Sequence, residues 1–298
     1  LPLTGSLSMA LDGLDTVTQV NFNPDLTTDR FILNGMEQSG ATLNRVALFL
    51  DYVRKLAGLT HFAQVESNNN YPSGAGIASS AAAFAALALA ASKAAGLDLS
   101  ERELSRLARL GSGSACRSVP GGFAEWLPGS RDADSYAIQI APPEHWDLVD
   151  LIVVVDRSEK AVGSSAGHKL AETSPLQALR IAGVPERLEQ CRTAILTRDF
   201  EHLAQVVELD SEWMHAVMRT SNPPLYYWKP ATEVVLWNVR AWRAQGHAVC
   251  ATVDAGPNVH VIALGQEASW AEAQLRALPS VQEVLTAKPG GGAKILEQ

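Results

Sequence analysis

Apolar and polar positions divide the chain into short strands and longer helices. Leu1 to Leu11 and Thr16 to Phe22 alternate apolar with small polar residues, which predicts two strands joined by an Asp12-Gly13 turn. Val46, Leu50, Val53 and Leu56 recur at helical spacing over 43–56, and Gly58 stops that helix. Phe62 to Glu66 reads as a strand that feeds a loop, and the alanine-rich run from Ala81 to Ala95 as a helix closed by Gly96. Ser100-Glu101-Arg102-Glu103 is a capping box for a helix that runs to Leu110. Gly121-Gly122 turns into another strand. Leu148 to Val155 is read as one apolar run, a buried strand by its length, and Ser164 to Lys169 as a polar loop. Helical periodicity dominates from Leu176 to Met218, and Pro223 to Trp228 forms a rigid aromatic connection. A helix over Thr232 to Arg243, strands over Ala248 to Val253 and Val259 to Leu264, a helix from Trp270 to Leu278 and an extended stretch to Ala287 complete the pattern. This order lacks regular βαβ alternation, so the fold class is α+β. Pro142-Pro143 marks the boundary between a unit over 1–145 and a unit over 146–298.

Composition narrows the function. With 298 residues, 47% hydrophobic and 19% charged, the chain has ample core for a soluble globular protein. No run is apolar and long enough to span a bilayer, so no membrane partner is expected. The start shows no basic region followed by an apolar core, and Cys116, Cys191 and Cys250 are odd in number and far apart. Reduced thiols in a cytoplasmic protein are therefore expected. A net charge of −8 argues against a nucleic-acid partner but not against a small anionic ligand held by local amides.

Small residues mark the candidate chemistry. In Ser67-Asn68-Asn69-Asn70-Tyr71-Pro72-Ser73-Gly74-Ala75-Gly76-Ile77-Ala78-Ser79-Ser80 the glycines let amide groups approach an anion, and a helix N-terminus follows at once. The segment is not a Walker A loop, and a plain Gly/Ser connection remains the alternative. Asp254 ends a strand before a Gly-Pro turn; it is either a turn cap or a carboxylate fixed for chemistry. Arg117 stands among glycines and serines, where a guanidinium can grip a carboxylate or phosphate with both prongs, or make an ordinary ion pair. Ser112, Ser114, Ser164 and Ser165 are phosphate donors or ordinary loop serines. His145, His202, His215 and His260 read as structural.

Together, residues 67–81, Gly-Ser-Gly-Ser-Ala-Cys-Arg-Ser (111–118), Gly-Gly-Phe-Ala-Glu-Trp (121–126), Glu-Thr-Ser-Pro-Leu (172–176) and Asp-Ala-Gly-Pro-Asn (254–258) resemble the mevalonate diphosphate decarboxylase family of the GHMP kinase superfamily. The resemblance implies a two-domain GHMP fold, an N-terminal ribosomal S5-like α/β domain and a C-terminal α+β sandwich. It also implies ATP and Mg2+ as cofactors, a phosphorylated mevalonate as substrate and a homodimer. Carried over, Asp254 and Arg117 are the catalytic pair. Asn68, Pro72, Gly74, Gly76, Ala78, Ser79 and Ser80 fall to the nucleotide, and Ser112, Ser114, Arg117, Ser164, Ser165 and His168 to the substrate; no residue is assigned to a metal. Two departures shape the expectation. Family members carry a Lys-Tyr-Trp-Gly-Lys-type segment ahead of Leu1-Pro2-Leu3, so a truncated chain is expected and the catalytic lysine is left unassigned. Diphosphate-specific members read Ser-Ser-Thr-x-Gly-Met-Gln where this chain has Ser164-Ser165-Ala166-Gly167-His168-Lys169, which resembles the phosphomevalonate decarboxylase branch. The favoured expectation is therefore mevalonate 5-phosphate converted to isopentenyl phosphate, with the 5-diphosphate as the alternative. A mevalonate 3-kinase that stops at the phosphate ester and an inactive metabolite-binding relative are the further rivals.

Overall fold

The computed structural model describes residues 1–71, 79–158 and 162–296. In chain order the elements are β1 (Ser6–Met9), β2 (Leu11–Asp12), β3 (Thr16–Asn23), β4 (Arg30–Leu33), β5 (Met36–Glu37), α1 (Gly40–Ala57), β6 (Phe62–Asn69), α2 (Ser79–Ala94) and α3 (Glu101–Gly111). A short 3-10 helix (Gly113–Ser118) leads to β7 (Phe123–Leu127) and β8 (Tyr136–Ala141). Then come β9 (Leu148–Val154), α4 (Ser164–Ala171), α5 (Gln177–Thr197), α6 (Phe200–Arg219), α7 (Pro230–Ala244), β10 (Val249–Thr252), β11 (Val259–Leu264), α8 (Ala268–Arg276) and β12 (Glu283–Pro289). The α+β class is as expected.

In the first half, β3-β6-β4-β5 form one sheet, with β6 antiparallel to β3 and parallel to β4. Ala63, Val65 and Ser67 of β6 point inward, and α1, α2 and α3 bury Phe49, Leu50, Val53, Phe84, Leu87 and Leu107 in the same core. The alanines of α2 supply little volume, which lets this helix lie close to its neighbours. Gly58 (φ +66) ends α1 as its pattern predicts, and the Ser100–Glu103 capping box opens α3. The second half is built on the sheet β10-β11-β9-β12-β2, with β9 in its middle. Every residue of β9 is buried. One face carries Val149, Leu151 and Val153 against α7 and α8; the other carries Ile152 and Val154 against Tyr71 and Leu11. Asp150 interrupts the apolar run of this strand and is buried with it.

Two expectations change. The strands on either side of Asp12-Gly13 are joined by a left-handed Gly13 (φ +84) but do not pair with each other. β2 joins β12 and β3 joins β6, because alternation predicts a strand without naming its partner. Residues 164–169 are helical, not a loop. Gly163 precedes α4, its carbonyl accepts from Ala166 and Gly167 at 3.1 and 3.0 Å, and Ala171 buries the far end. Serines and glycine at a helix start masked the pattern.

The halves are interlocked. Gly290 N–H donates to Ala10 O, Gly122 N–H to Gly290 O and Ala10 N–H to Gly122 O, each at 2.8 Å. A Cβ on Gly121 (φ +70) would lie 2.0 Å from Gly292 N, and one on Gly292 would lie 2.1 Å from Val119 O. The closing glycines thus serve a close backbone crossing. Arg192 of α5 adds a bidentate pair with buried Glu125 of β7, at 2.7 and 2.6 Å. Gly121→Ala should cost about 2–3 kcal/mol, since both the φ and the space are wrong for a side chain. Urea denaturation against the parent protein checks this.

Candidate active site

Residues Pro72, Gly74, Gly76 and Ala78 lie outside the described residues, as do the side chains of Ser79 and Ser165. What flanks the first gap is well anchored. Thr16 Oγ1 donates to Asn69 Oδ1 at 2.8 Å and lies 3.1 Å from the Tyr71 hydroxyl, Asp15 N–H donates to Asn70 Oδ1 at 2.8 Å, and Ser67 and Thr18 hydroxyls meet at 2.8 Å. The polar run before the loop therefore stitches the end of β6 to the start of β3. Asn68 is exposed on the same strand. On the far side, α2 starts with no acidic residue in its first turn, so no carboxylate of that turn offsets the positive end of its dipole.

Ser80 Oγ lies 3.2 Å from Ser112 Oγ, which joins the head of α2 to the second small-residue segment. Phe84 and Arg45 set this meeting. A Cβ on Gly111 would lie 1.9 Å from the Phe84 ring, and Arg45 donates to Gly111 O at 2.8 and 3.2 Å, so α3 ends hard against α2. Ser114 and Arg117 follow on the 3-10 helix, both partly buried. Arg117 Nε donates to Ser8 Oγ at 2.9 Å, and its Nη1 donates to Ser6 Oγ. Among the described residues no acceptor meets Nη2. Burial pushes the Arg117 pKa below the usual guanidinium value, and the Asp254 carboxylate acts against that shift.

Asp254 stands exposed just beyond β10. Its own carbonyl accepts from Gly256 N–H at 2.8 Å, and Asn258 Oδ1 accepts from Val155 N–H at 2.8 Å and Asp156 N–H at 3.1 Å, which ties the turn to the end of β9. Asp254 and Arg117 come from different halves of the chain, and the Asp254 charge acts on the Arg117 guanidinium. On α4, Ser164 and His168 are exposed, and Gly167 is packed under the Tyr227 hydroxyl. Of the four histidines read as structural, His145 meets Ile195 O at 2.9 Å, His202 meets the helix-capping Asp199, and His215 meets Val253 O at 2.9 Å. His260 Nδ1 lies 2.8 Å from the buried Asp150 carboxylate. Burial alone would lower the His260 pKa, but Asp150 outweighs it and raises the value to about 9, with Asp254 adding to the rise.

Comparison with known proteins decides the family. Residues 1–137 match the diphosphomevalonate decarboxylase-like N-terminal domain, and residues 150–291 the mevalonate 5-diphosphate decarboxylase C-terminal domain. The diphosphomevalonate decarboxylase of Ganoderma lucidum is 38% identical over 283 residues, 87% of this chain and 71% of that protein. The human diphosphomevalonate decarboxylase is 38% identical over 287 residues, 89% of this chain and 71% of that protein. The chain belongs to the diphosphomevalonate decarboxylase family. It is accordingly a decarboxylase. Solved relatives share the whole fold. The mevalonate diphosphate decarboxylase of Staphylococcus aureus has a TM-score of 0.95 and 36% identity, covering 99% of this chain and 90% of that one. A complex of MDDEF with MVAPP, AMPPCP and magnesium has a TM-score of 0.94 and 39% identity, covering 100% of this chain and 92% of that one.

This family overturns the expectation of mevalonate 5-phosphate as the favoured substrate, since the relatives matched are diphosphomevalonate decarboxylases. The structure explains why the Gly-His signal misled. A Cβ at Gly167 would lie 2.4 Å from the Tyr227 hydroxyl, so this glycine answers to packing under an aromatic ring.

Sequence reading missed three residues of this decarboxylase. Ser6 and Ser8 hold Arg117, and their signal was present: they alternate with Leu7 and Met9, which face a core. Asp150 was absorbed into an apolar run, and only the register of β9 with β11 brings it to His260. Replacing Ser6 and Ser8 together by alanine should lower kcat/KM by tenfold or more, because hydrogen bonds to a charged group contribute about 1.5–3 kcal/mol each. Steady-state release of CO2 measures this. The His260–Asp150 pair predicts a pH effect. With a folded value of about 9 against an ordinary 6.5, its stabilisation is complete below 6.5 and is lost as pH rises through 9. The melting temperature should fall over that window, and His260→Gln should remove this component of the fall.

Proposed function

We propose that the chain catalyses ATP-dependent decarboxylation of mevalonate 5-diphosphate to isopentenyl diphosphate. The observation that carries this reading is that the Asp254 charge reaches the partly buried Arg117 guanidinium, the two groups coming from opposite halves of the chain. The complex of the similar MDDEF with MVAPP, AMPPCP and magnesium supports both the substrate and the nucleotide. The start of α2 suits a polyphosphate, with Ser80 and Ser112 hydroxyls beside a helix dipole that no carboxylate of the first turn offsets. We assign Asn68, Pro72, Gly74, Gly76, Ala78, Ser79 and Ser80 to the nucleotide.

In this reading Asp254 accepts the proton of the substrate's 3-hydroxyl. ATP with Mg2+ supplies the phosphoryl group that turns this tertiary hydroxyl into a leaving group. Arg117, braced by Ser6 and Ser8 through Nε and Nη1, uses Nη2 to hold the C1 carboxylate. Phosphate departs from C3, the C1–C2 bond breaks, and its electron pair forms the C2–C3 double bond as CO2 leaves. Ser112 and Ser114 line the substrate in the first half, and Ser164, Ser165 and His168 on α4 line it in the second. The proposal includes the division at residue 145 and a cytoplasmic homodimer. The free Cys116, Cys191 and Cys250 favour a reducing compartment, and the family resemblance supports the dimer. Among the described residues no helix is long and apolar enough to cross a membrane.

Asp254→Asn should lower kcat by a hundredfold or more while ATP still binds, since one such contact at the reacting centre supplies about 3 kcal/mol. Near-normal turnover in this variant removes Asp254 from the mechanism. ADP and CO2 should appear in equal amounts, and kcat/KM should favour the diphosphate over the monophosphate. ADP without CO2 would make the protein a kinase.

A further inference from the structure

Asp254 hangs from a stretch that the sheet does not hold. The last register pair of β10 with β11 is Thr252 with His260. One residue later, both backbone groups of Val253 turn to α6. Val253 N–H donates to Ser211 Oγ at 3.1 Å, and His215 Nε2 lies 2.9 Å from Val253 O. Ser211 and His215 are four residues apart, so one face of α6 presents both. Both are buried, His215 to 2% exposure. The His215 ring is wedged between Trp228, tilted at 4.7 Å, and Tyr227, edge-on at 6.2 Å. Burial lowers its pKa to about 4, with Arg219 lowering and Asp254 raising it as the charged neighbours. His215 is therefore neutral at working pH, and the Val253 carbonyl as acceptor requires its one N–H on Nε2.

We propose that His215 and Ser211 are positioning residues that grip the Val253 peptide groups and so aim the Asp254 carboxylate at the substrate hydroxyl. Neither touches the substrate. The inference rests on Asp254 being the base. Displacement of a reacting group by about 1 Å can cost a hundredfold in rate, so such a grip belongs in the turnover number.

The test is His215→Phe, which keeps an aromatic ring among the aromatic neighbours and removes the Nε2 donor. At a temperature well below the melting point of the variant, kcat for CO2 release from mevalonate 5-diphosphate should fall tenfold or more. KM for both substrates should stay within about twofold, because a grip on the base acts on the reacting step and not on binding. Ser211→Ala should act in the same direction, and Ser211→Thr, which keeps the hydroxyl, should retain most of the rate. In an Asp254→Asn background, His215→Phe should cost nothing more, since the two act as one unit. A wild-type kcat in His215→Phe, or an equal further loss in the Asp254→Asn background, overturns the proposal. These results are separable from failure of the functional reading, which would appear as full activity of Asp254→Asn alone.

Discussion

The meeting of bare backbone at Gly121-Gly122 and Gly290–Gly292 is the constraint on which this molecule depends. Two stretches far apart in sequence cross so closely that a single methyl group at Gly121 or Gly292 would collide with main-chain atoms. Three main-chain hydrogen bonds close the crossing, and β2 continues it into the sheet of the second half. Hydrogen bonds between buried main-chain groups leave no side chain to adjust, so the halves meet in one geometry. The buried Glu125–Arg192 pair reinforces the same junction from another side.

That junction matters because the proposed chemistry is divided. Arg117 and the head of α2 belong to the first half, Asp254 to the second. Each is held by neighbours of its own: Arg117 by Ser6 and Ser8, Asp254 through Val253 by Ser211 and His215. In the proposed function the separate anchors fix each group, so that a substrate can present a hydroxyl to one and a carboxylate to the other. The burial of Arg117 lowers the local dielectric response, so its charge acts over a longer reach than a surface arginine would.

Buried polar groups away from the reacting pair show the same economy. Asp150 and His260 meet diagonally across adjacent strands, and the second Asp150 oxygen has no partner among the described residues. A charge buried in this way persists only when paired, which explains the raised His260 value. His215, with a carbonyl for a partner instead of a carboxylate, moves the other way. Two histidines of one half thus take opposite protonation states for reasons visible in their neighbours.

Much of this was legible in the chain alone. Helical spacing located α1 with its Gly58 stop, and the capping box opened α3 as written. The family motifs pointed to Asp254 and Arg117, the pair on which the proposed function rests, because each stands among small residues that leave a charged head accessible. Pairing was not legible. Alternation shows strands over Leu1 to Leu11 and Thr16 to Phe22, but the first divides into β1 and β2, and β1, β2 and β3 each join a different sheet that only distant partners decide. For the same reason Asp150 looked like part of an apolar run and Gly167 like a substrate signal. The meaning of each rests on a residue 110 or 60 positions away, His260 and Tyr227. Local periodicity follows from the geometry of a single element. Contacts across long stretches of chain arise only when the elements pack, and there the tertiary structure alone decides.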